Sequence, residues 1–299
     1  MSDGKTPAFH CGYAALVGRP NVGKSTLLNR LVGQKISITT PRAQTTRHRI
    51  LGIKTVTDAQ ILYVDTPGFH PGYKHALNRY MNQVVTNAVE DVDVVVFVVS
   101  DVTWKTEDRQ LLDKIASHPR LLLAVNKVDT LRDKSRLLPH LQSLAEKVPF
   151  RHIIPLSAKT GDNVERLERE IIALLPVAPP FYGDDQVTDR SLRFLAAELI
   201  REALMRHLGD ELPYQITVAI ESFVEQPELT RIAAVIWVDQ ERYKPMVIGK
   251  GGAMLKKIGS DARRGIEDLV GTRVFLELLV KVKEDWTDDE SSLRRFGYE

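Results

Sequence analysis

The run Gly18-Arg19-Pro20-Asn21-Val22-Gly23-Lys24-Ser25 carries the pattern G-x-x-x-x-G-K-S/T. These residue types suit one task, holding a chain of phosphates. Gly18 and Gly23 let backbone N–H groups turn inward around a β-phosphate, with Asn21, Val22 and Thr26 completing the cradle. A helix predicted to open at Ser25 adds the positive end of its dipole. Lys24 supplies a full charge to the β- and γ-phosphates, and the Ser25 hydroxyl suits Mg²⁺.

Three more clusters extend this chemistry. Asp65-Thr66-Pro67-Gly68 follows an apolar run. An acid there can hold Mg²⁺, and the Gly68 N–H can contact a γ-phosphate. Asn126-Lys127-Val128-Asp129 follows another run. The Asp129 carboxylate can accept two hydrogen bonds from guanine N1–H and its 2-amino group, a pair adenine lacks. Asn126 can reach the purine edge and tie loops together, while the Lys127 stem can lie over the ring. Ser157-Ala158-Lys159 comes after the next run, and the Ala158 N–H is expected to meet guanine O6. Between the phosphate loop and Asp65, Thr46 is expected to close on Mg²⁺ when a γ-phosphate is present, with Thr45 the alternative. Arg47 and His48 read as solvated charges.

The elements that must position these groups alternate. Tyr13–Val17, Ile61–Val64, Val94–Val99, Leu121–Val125 and Ile153–Leu156 are runs of Val, Ile and Leu suited to strands buried on both faces of a parallel sheet. Helix-length segments such as Gln110–Ala116 and Val164–Leu175 separate them. Arg47–Ile53 is expected to pair antiparallel with Gln60–Val64, the connection being too short for a crossover helix. The whole predicts an α/β domain over 1–178, mostly parallel sheet with helices on both faces, its ligand at the strand C-termini.

From Pro176 to Asp185 the chain holds three prolines and a glycine, the composition of a semi-rigid linker, placed at 179–190. Beyond it the order changes. Leu192, Leu195, Ala196, Leu199, Ile200, Ala203 and Leu204 recur at helical spacing, with Arg193, Glu198, Arg201 and Glu202 on a polar opposite face. Two strands, a short apolar segment, a helix and a strand over Val274–Val282 follow. Between the short segment and the helix stands Gly249-Lys250-Gly251-Gly252. From Gln240 to Val274 there are eight basic residues against four acids, a balance that suits a phosphate-binding face.

Composition sets outer bounds. Hydrophobic residues make up 43% and charged residues 27%, and the formal charge of +2 implies no partner by itself. Cys11 is the single cysteine, which excludes an internal disulfide and suits a reducing cytoplasm. Met1 to His10 lacks an apolar signal core, so no secretion is expected.

Taken together the motifs resemble the Era family of bacterial GTPases, from about Tyr13 to Trp286. The similarity includes Ala43-Gln44-Thr45-Thr46-Arg47-His48-Arg49, Thr188-Asp189-Arg190-Ser191, Glu211-Leu212-Pro213-Tyr214 and the run from Ile248 to Gly259. It implies a P-loop GTPase domain fused to an α+β type II KH domain over 191–286, leaving a tail at 287–299. It further implies a GTP-to-GDP hydrolase using Mg²⁺, with Lys24, Thr46, Gly68 and Asn21 nearest the reaction. Phe69, which cannot orient water by hydrogen bonding, predicts that its intrinsic turnover is slow. Ser25, Thr46 and Asp65 are implied as metal ligands. Gly249, Lys250, Gly251, Gly252, Lys256 and Lys257 are implied to bind RNA, with the 3′ region of 16S rRNA and the 30S subunit as partners. A monomer in the cytoplasm, with peripheral contact at the inner face of the cell membrane, completes the expectation. Where many GTPases carry a water-orienting glutamine after D-x-x-G, this chain has Phe69. Asn21 has two readings, a K⁺ ligand beside the phosphates as in related potassium-dependent GTPases, or a support for the loop backbone. Two competing readings remain: a GTPase accessory to tRNA modification, and a C-terminal half serving dimerisation or anionic lipid.

Overall fold

The computed structural model describes residues 8–69, 75–100, 104–131, 139, 141, 150–209 and 212–298. Glu211 and the first seven residues, named above, lie outside them. The chain forms two compact units, one of Met1–Ser37, Thr46–Gly72 and Met81–Asp189, the other of Ile38–Thr45, Tyr73–Tyr80 and Arg190–Glu299.

The first unit is built on a sheet of β1 (His10–Val17), β2 (Ile50–Val56), β3 (Ala59–Asp65), β4 (Val94–Ser100), β5 (Leu121–Asn126) and β6 (His152–Pro155). Their order is β2-β3-β1-β4-β5-β6, parallel throughout except for the β2–β3 hairpin. Every residue of β4 is buried, as a valine-rich apolar run in a covered sheet requires. The helices are α1 (Lys24–Val32), the part of α2 (Ala76–Glu90) from Met81 onward, α3 (Thr106–Ile115) and α4 (Val164–Leu174). Because β1 has β3 on one side and β4 on the other, the strand order reverses beside it. The crevice beyond the C-terminal end of β1 is therefore the place for a ligand. The hairpin strand starts at Ile50 opposite Asp65, three residues later than the sequence suggests. Arg47 and His48, expected to be solvated, are instead 0% and 8% exposed.

The proline-rich segment is pinned rather than free. Pro176 accepts from the Cys11 N–H, and the Ala178 N–H donates to Phe9. The buried Gln60 side chain accepts the N–H groups of Phe181 and Tyr182 at 2.7 and 2.9 Å.

The second unit contains α5 (Leu192–His207), β7 (Ile216–Val224), β8 (Leu229–Val238), α6 (Lys244–Ile248), α7 (Ala253–Val270) and β9 (Arg273–Val282). The sheet order is β7-β8-β9, antiparallel then parallel. The apolar stripe of α5 meets Ile258, Ala262 and Ile266 of α7 and Ile236 of β8 in one core. The opposite face of α5 differs from its polar appearance: Glu198, Arg201 and Glu202 are all buried. Within the same unit Glu202 accepts the Thr39 N–H at 3.0 Å, and Ile38 joins the core. The expected tail is folded too. Trp286 is fully buried and stacks on Tyr298, and Asp289 caps α8 (Glu290–Arg295). Among the described residues no helix is long and apolar enough to cross a membrane.

Candidate functional site

Strand C-termini deliver the first group of side chains. The turn after β1 holds Gly18 to Gly23. A Cβ at Gly18 would stand 2.3 Å from the Val98 carbonyl oxygen, and Gly23 has φ of +99°, so both positions demand glycine. Asn21 is left-handed and exposed, and its carbonyl accepts from Lys127 Nζ at 2.6 Å. Lys24 is buried, its Nζ donating to the carbonyls of Gly18 and Arg19 at 3.0 and 3.2 Å. Burial pulls the Lys24 ammonium down to about 8, with Asp65 opposing. A cation that loses hydration by burial is poised for an anion. Thr26 sits half-buried in the first turn of α1.

Beside Lys24 lies an oxygen cluster. Ser25 Oγ is 2.7 Å from Thr46 Oγ1 and donates to Asp65 Oδ2 at 2.7 Å. Ser37, which the sequence reading passed over, donates to the same Oδ2 at 3.0 Å. Asp65 is fully buried, burial pushes its carboxyl up, and its Oδ1 has no hydrogen-bond partner. A buried, orphaned carboxylate oxygen next to two hydroxyls fits a hard divalent cation. Thr45, the alternative to Thr46, spends its hydroxyl on Thr40 Oγ1 and the Arg42 carbonyl. Gly68 packs so closely that a Cβ would lie 2.7 Å from Pro20, and Phe69 N–H donates to the Gly18 carbonyl at 3.1 Å. The Phe69 ring is buried in the core with Val17 and Leu111.

The loops after β5 and β6 meet through Asn126. Its Nδ2 donates to the Val22 carbonyl at 2.8 Å, and its Oδ1 accepts the Lys127 and Ala158 N–H groups at 2.8 and 2.9 Å. The Ala158 N–H, expected to be aimed at a guanine O6, is thus also held by Asn126. Asp129 Oδ1 accepts from Ser157 Oγ at 2.7 Å, and the Lys159 carbonyl accepts from Arg30 Nη2 at 2.6 Å. Arg19 faces away from the phosphate loop's interior: its guanidinium pairs with the buried Asp108 at 3.0 Å and reaches Ser100.

A second site lies at Gly249–Gly252. Gly249, Gly251 and Gly252 all have positive φ. A Cβ at Gly249 would stand 2.6 Å from Met254 Cβ, whereas Gly251 and Gly252 face open space. The loop leads into a groove of about 530 Å³ lined by Gly252, Leu255, Lys256, Gly259, Ser260, Arg263, Leu276 and Leu278. Lys250 and Lys257 are exposed nearby without lining it. Backbone open to a phosphate, cations at one edge and an apolar floor suit a single-stranded nucleic acid.

The model of the 50S ribosome-binding GTPase family matches residues 13–127, and that of the KH domain matches residues 211–287. The chain is 52% identical over 292 residues to GTPase Era of Azotobacter vinelandii, covering 97% of each. It is 53% identical over 294 residues to GTPase Era of Ectopseudomonas mendocina, covering 98% of each. The chain belongs to the Era family of GTPases. As an Era-family enzyme it hydrolyses GTP, and the order of its elements is that of a P-loop GTPase domain followed by a KH domain. Two solved Era structures are similar over 97% of this chain and 99% of theirs, each at 38% identity. One, from Aquifex aeolicus, is bound to GDP and aluminium fluoride, with a TM-score of 0.94. The other is a complex with MgGDPNP and nucleotides 1506–1542 of 16S ribosomal RNA, with a TM-score of 0.93.

Proposed function

We propose that this Era-family GTPase is a GTP-dependent switch that binds the 3′ region of 16S rRNA through its KH groove and assists assembly of the 30S subunit. The observation that carries the reading is the open backbone of Gly251 and Gly252 beside a groove with an apolar floor and the cations Lys256 and Arg263. The Era relative in complex with 16S rRNA nucleotides supports it. Gly249–Gly252 clamps the sugar–phosphate chain, Lys250, Lys256 and Lys257 supply charge, and Leu276 and Leu278 take the bases.

In the nucleotide site, backbone N–H groups of Gly18–Ser25 and the Lys24 ammonium hold the β- and γ-phosphates. Ser25, Thr46 and Asp65 would hold Mg²⁺, which would supply positive charge against the charge developing on the phosphates. Gly68 offers its N–H to the γ-phosphate. Asp129 selects guanine, Lys127 covers the ring, and Asn126, Ser157, Ala158 and Lys159 keep the base loops in register. Phe69 cannot orient water, so intrinsic turnover is slow. Asn21 as a K⁺ ligand would supply part of the missing stabilisation. Equal GTPase rates in KCl and NaCl at matched ionic strength would remove it from that role.

GTP orders the Thr46 segment and favours RNA binding; hydrolysis releases the RNA. The protein acts as a monomer in the cytoplasm, with peripheral contact at the inner membrane face. The test is cross-linking of the GTP-analogue-loaded protein to RNA in cells. Recovery of the 16S rRNA 3′ end is expected. Recovery of tRNA would overturn the reading in favour of a tRNA-modification role, and equal RNA affinity with GDP and the analogue would end the switch.

A further inference from the structure

We propose that Ser37 is a positioning residue for the metal site, turning the Asp65 carboxylate so that its Oδ1 is left for the ion. Ser37 is 1% exposed, and its Oγ donates to Asp65 Oδ2 at 3.0 Å. Ser25 Oγ donates to the same oxygen at 2.7 Å, and Oδ1 has no hydrogen-bond partner. The terminal torsion of an aspartate is broad and roughly two-fold, so its own rotamer preference does not decide which oxygen faces where. Two hydroxyls converging on one oxygen do decide it, and they leave the other unspent. Ser25 has one proton and stands 2.7 Å from both Asp65 Oδ2 and Thr46 Oγ1. Ser37 brings a second proton from outside the phosphate loop.

Ser37 is itself held from α1. Asn29 Oδ1 accepts the N–H groups of Ile36 and Ser37 at 3.0 and 2.9 Å, and Asn29 Nδ2 donates to the Ser37 carbonyl at 2.7 Å. Both backbone groups of Ser37 are thus fixed by one side chain, which sets where its Cβ points. The helix that presents Ser25 therefore also presents Ser37. Ser25, Asn29, Ser37 and Asp65 all belong to the first unit. Burying a hydroxyl costs free energy unless it is bonded, a cost that alanine would avoid. The carboxylate it grips accounts for the serine. Groups that orient a metal ligand from behind typically cost about 10–100-fold in metal affinity when removed.

The proposal rests on the reading of Asp65 as part of the metal site, and the test separates the two. Wild type, Ser37→Ala, Asp65→Asn and the double change are compared as full chains loaded with a GTP analogue. Mn²⁺ is the probe, its free fraction counted by electron paramagnetic resonance. Release of fluorescent GDP is followed in EDTA. Ser37→Ala is expected to weaken Mn²⁺ binding about 10–100-fold, with release in EDTA at the wild-type rate. Its GTPase rate should recover as Mg²⁺ is raised. In the Asp65→Asn background the same change should add nothing, because a residue that acts through Asp65 then has nothing to act on. Wild-type Mn²⁺ affinity in Ser37→Ala, with Asp65→Asn impaired, would overturn the role of Ser37 and leave Asp65 standing. Faster release in EDTA, or a loss that persists in full beside Asp65→Asn, would make Ser37 a support of the cradle at large and overturn the proposal. Wild-type Mn²⁺ affinity in Asp65→Asn would overturn both readings.

Discussion

The Asn126 side-chain amide donates to the Val22 carbonyl at 2.8 Å, across 104 residues of chain. Gly23 is what permits the approach, since a Cβ there would lie 2.3 Å from Asn126 Nδ2. With Oδ1 accepting the Ala158 N–H, one residue braces the phosphate loop against the loops after β5 and β6. Asn126→Ala leaves a buried carbonyl and a buried N–H unpaired, at about 1–3 kcal/mol. GTP and GDP affinities should fall together by roughly 10–100-fold in fluorescent-nucleotide titrations. A loss confined to GTP would contradict the bracing role.

In the proposed function Asp129 carries the choice of base. Asp129→Asn exchanges one acceptor for a donor, which mismatches guanine and matches the 2-oxo group of xanthine. GTP affinity should drop at least about 10²-fold, with XTP now bound. Competition between the two nucleotides reads this directly. Unchanged preference for GTP would show that Asp129 does not touch the base.

At the KH loop, Gly251→Asp with Lys250→Asp puts negative charge and a Cβ where a phosphate would lie. RNA binding should be lost while the GTPase rate without RNA stays unchanged. Lys256→Ala alone should weaken binding and lower the salt slope by about one. Retained RNA affinity in the double variant would move the interface elsewhere.

Asp261 on α7 ties two helices of the second unit. Its hydrogen bond from His207 on α5, aided by Arg264, holds its carboxyl below the ordinary 3.8. A depressed carboxyl contributes stability that is fully present above the unfolded value and lost as pH falls through the folded one. Thermal unfolding of wild type and Asp261→Asn should therefore differ at pH 7, by about 1 kcal/mol after solvent screening. The difference should close below pH 3.8. A gap that persists in acid would assign the effect to packing instead.

Much of this was legible from residue order. The motifs at Gly18, Asp65, Asn126 and Ser157 each end a continuous apolar run, and such runs become central strands with little ambiguity. The positive-φ glycines at 249–252 announced themselves by type. What the sequence concealed depends on pairing at a distance. Arg201 and Glu198 look like an ordinary solvated helix face, because periodicity reports polarity and cannot see which face another segment covers. Ser37 carries no motif and reaches Asp65 only through the fold. The stretch 287–299 reads as a separate tail because its aromatics, Phe296 and Tyr298, are too sparse for a periodic signal, yet both pack on Trp286.

Phe69 stands where a faster GTPase would place glutamine, and its ring belongs to the core beside Val17 and Leu111. Phe69→Gln should cost at least about 3 kcal/mol in unfolding experiments, by cavity and buried amide together, without speeding hydrolysis. The amide would have to leave the interior to reach the phosphates, and the vacated space would remain. The mutational route to rapid turnover is therefore barred by folding: several compensating replacements must precede the one that matters. If turnover is slow as proposed, its slowness is anchored in the hydrophobic interior, which gives a lineage carrying this chain a clock that point mutation cannot easily hurry.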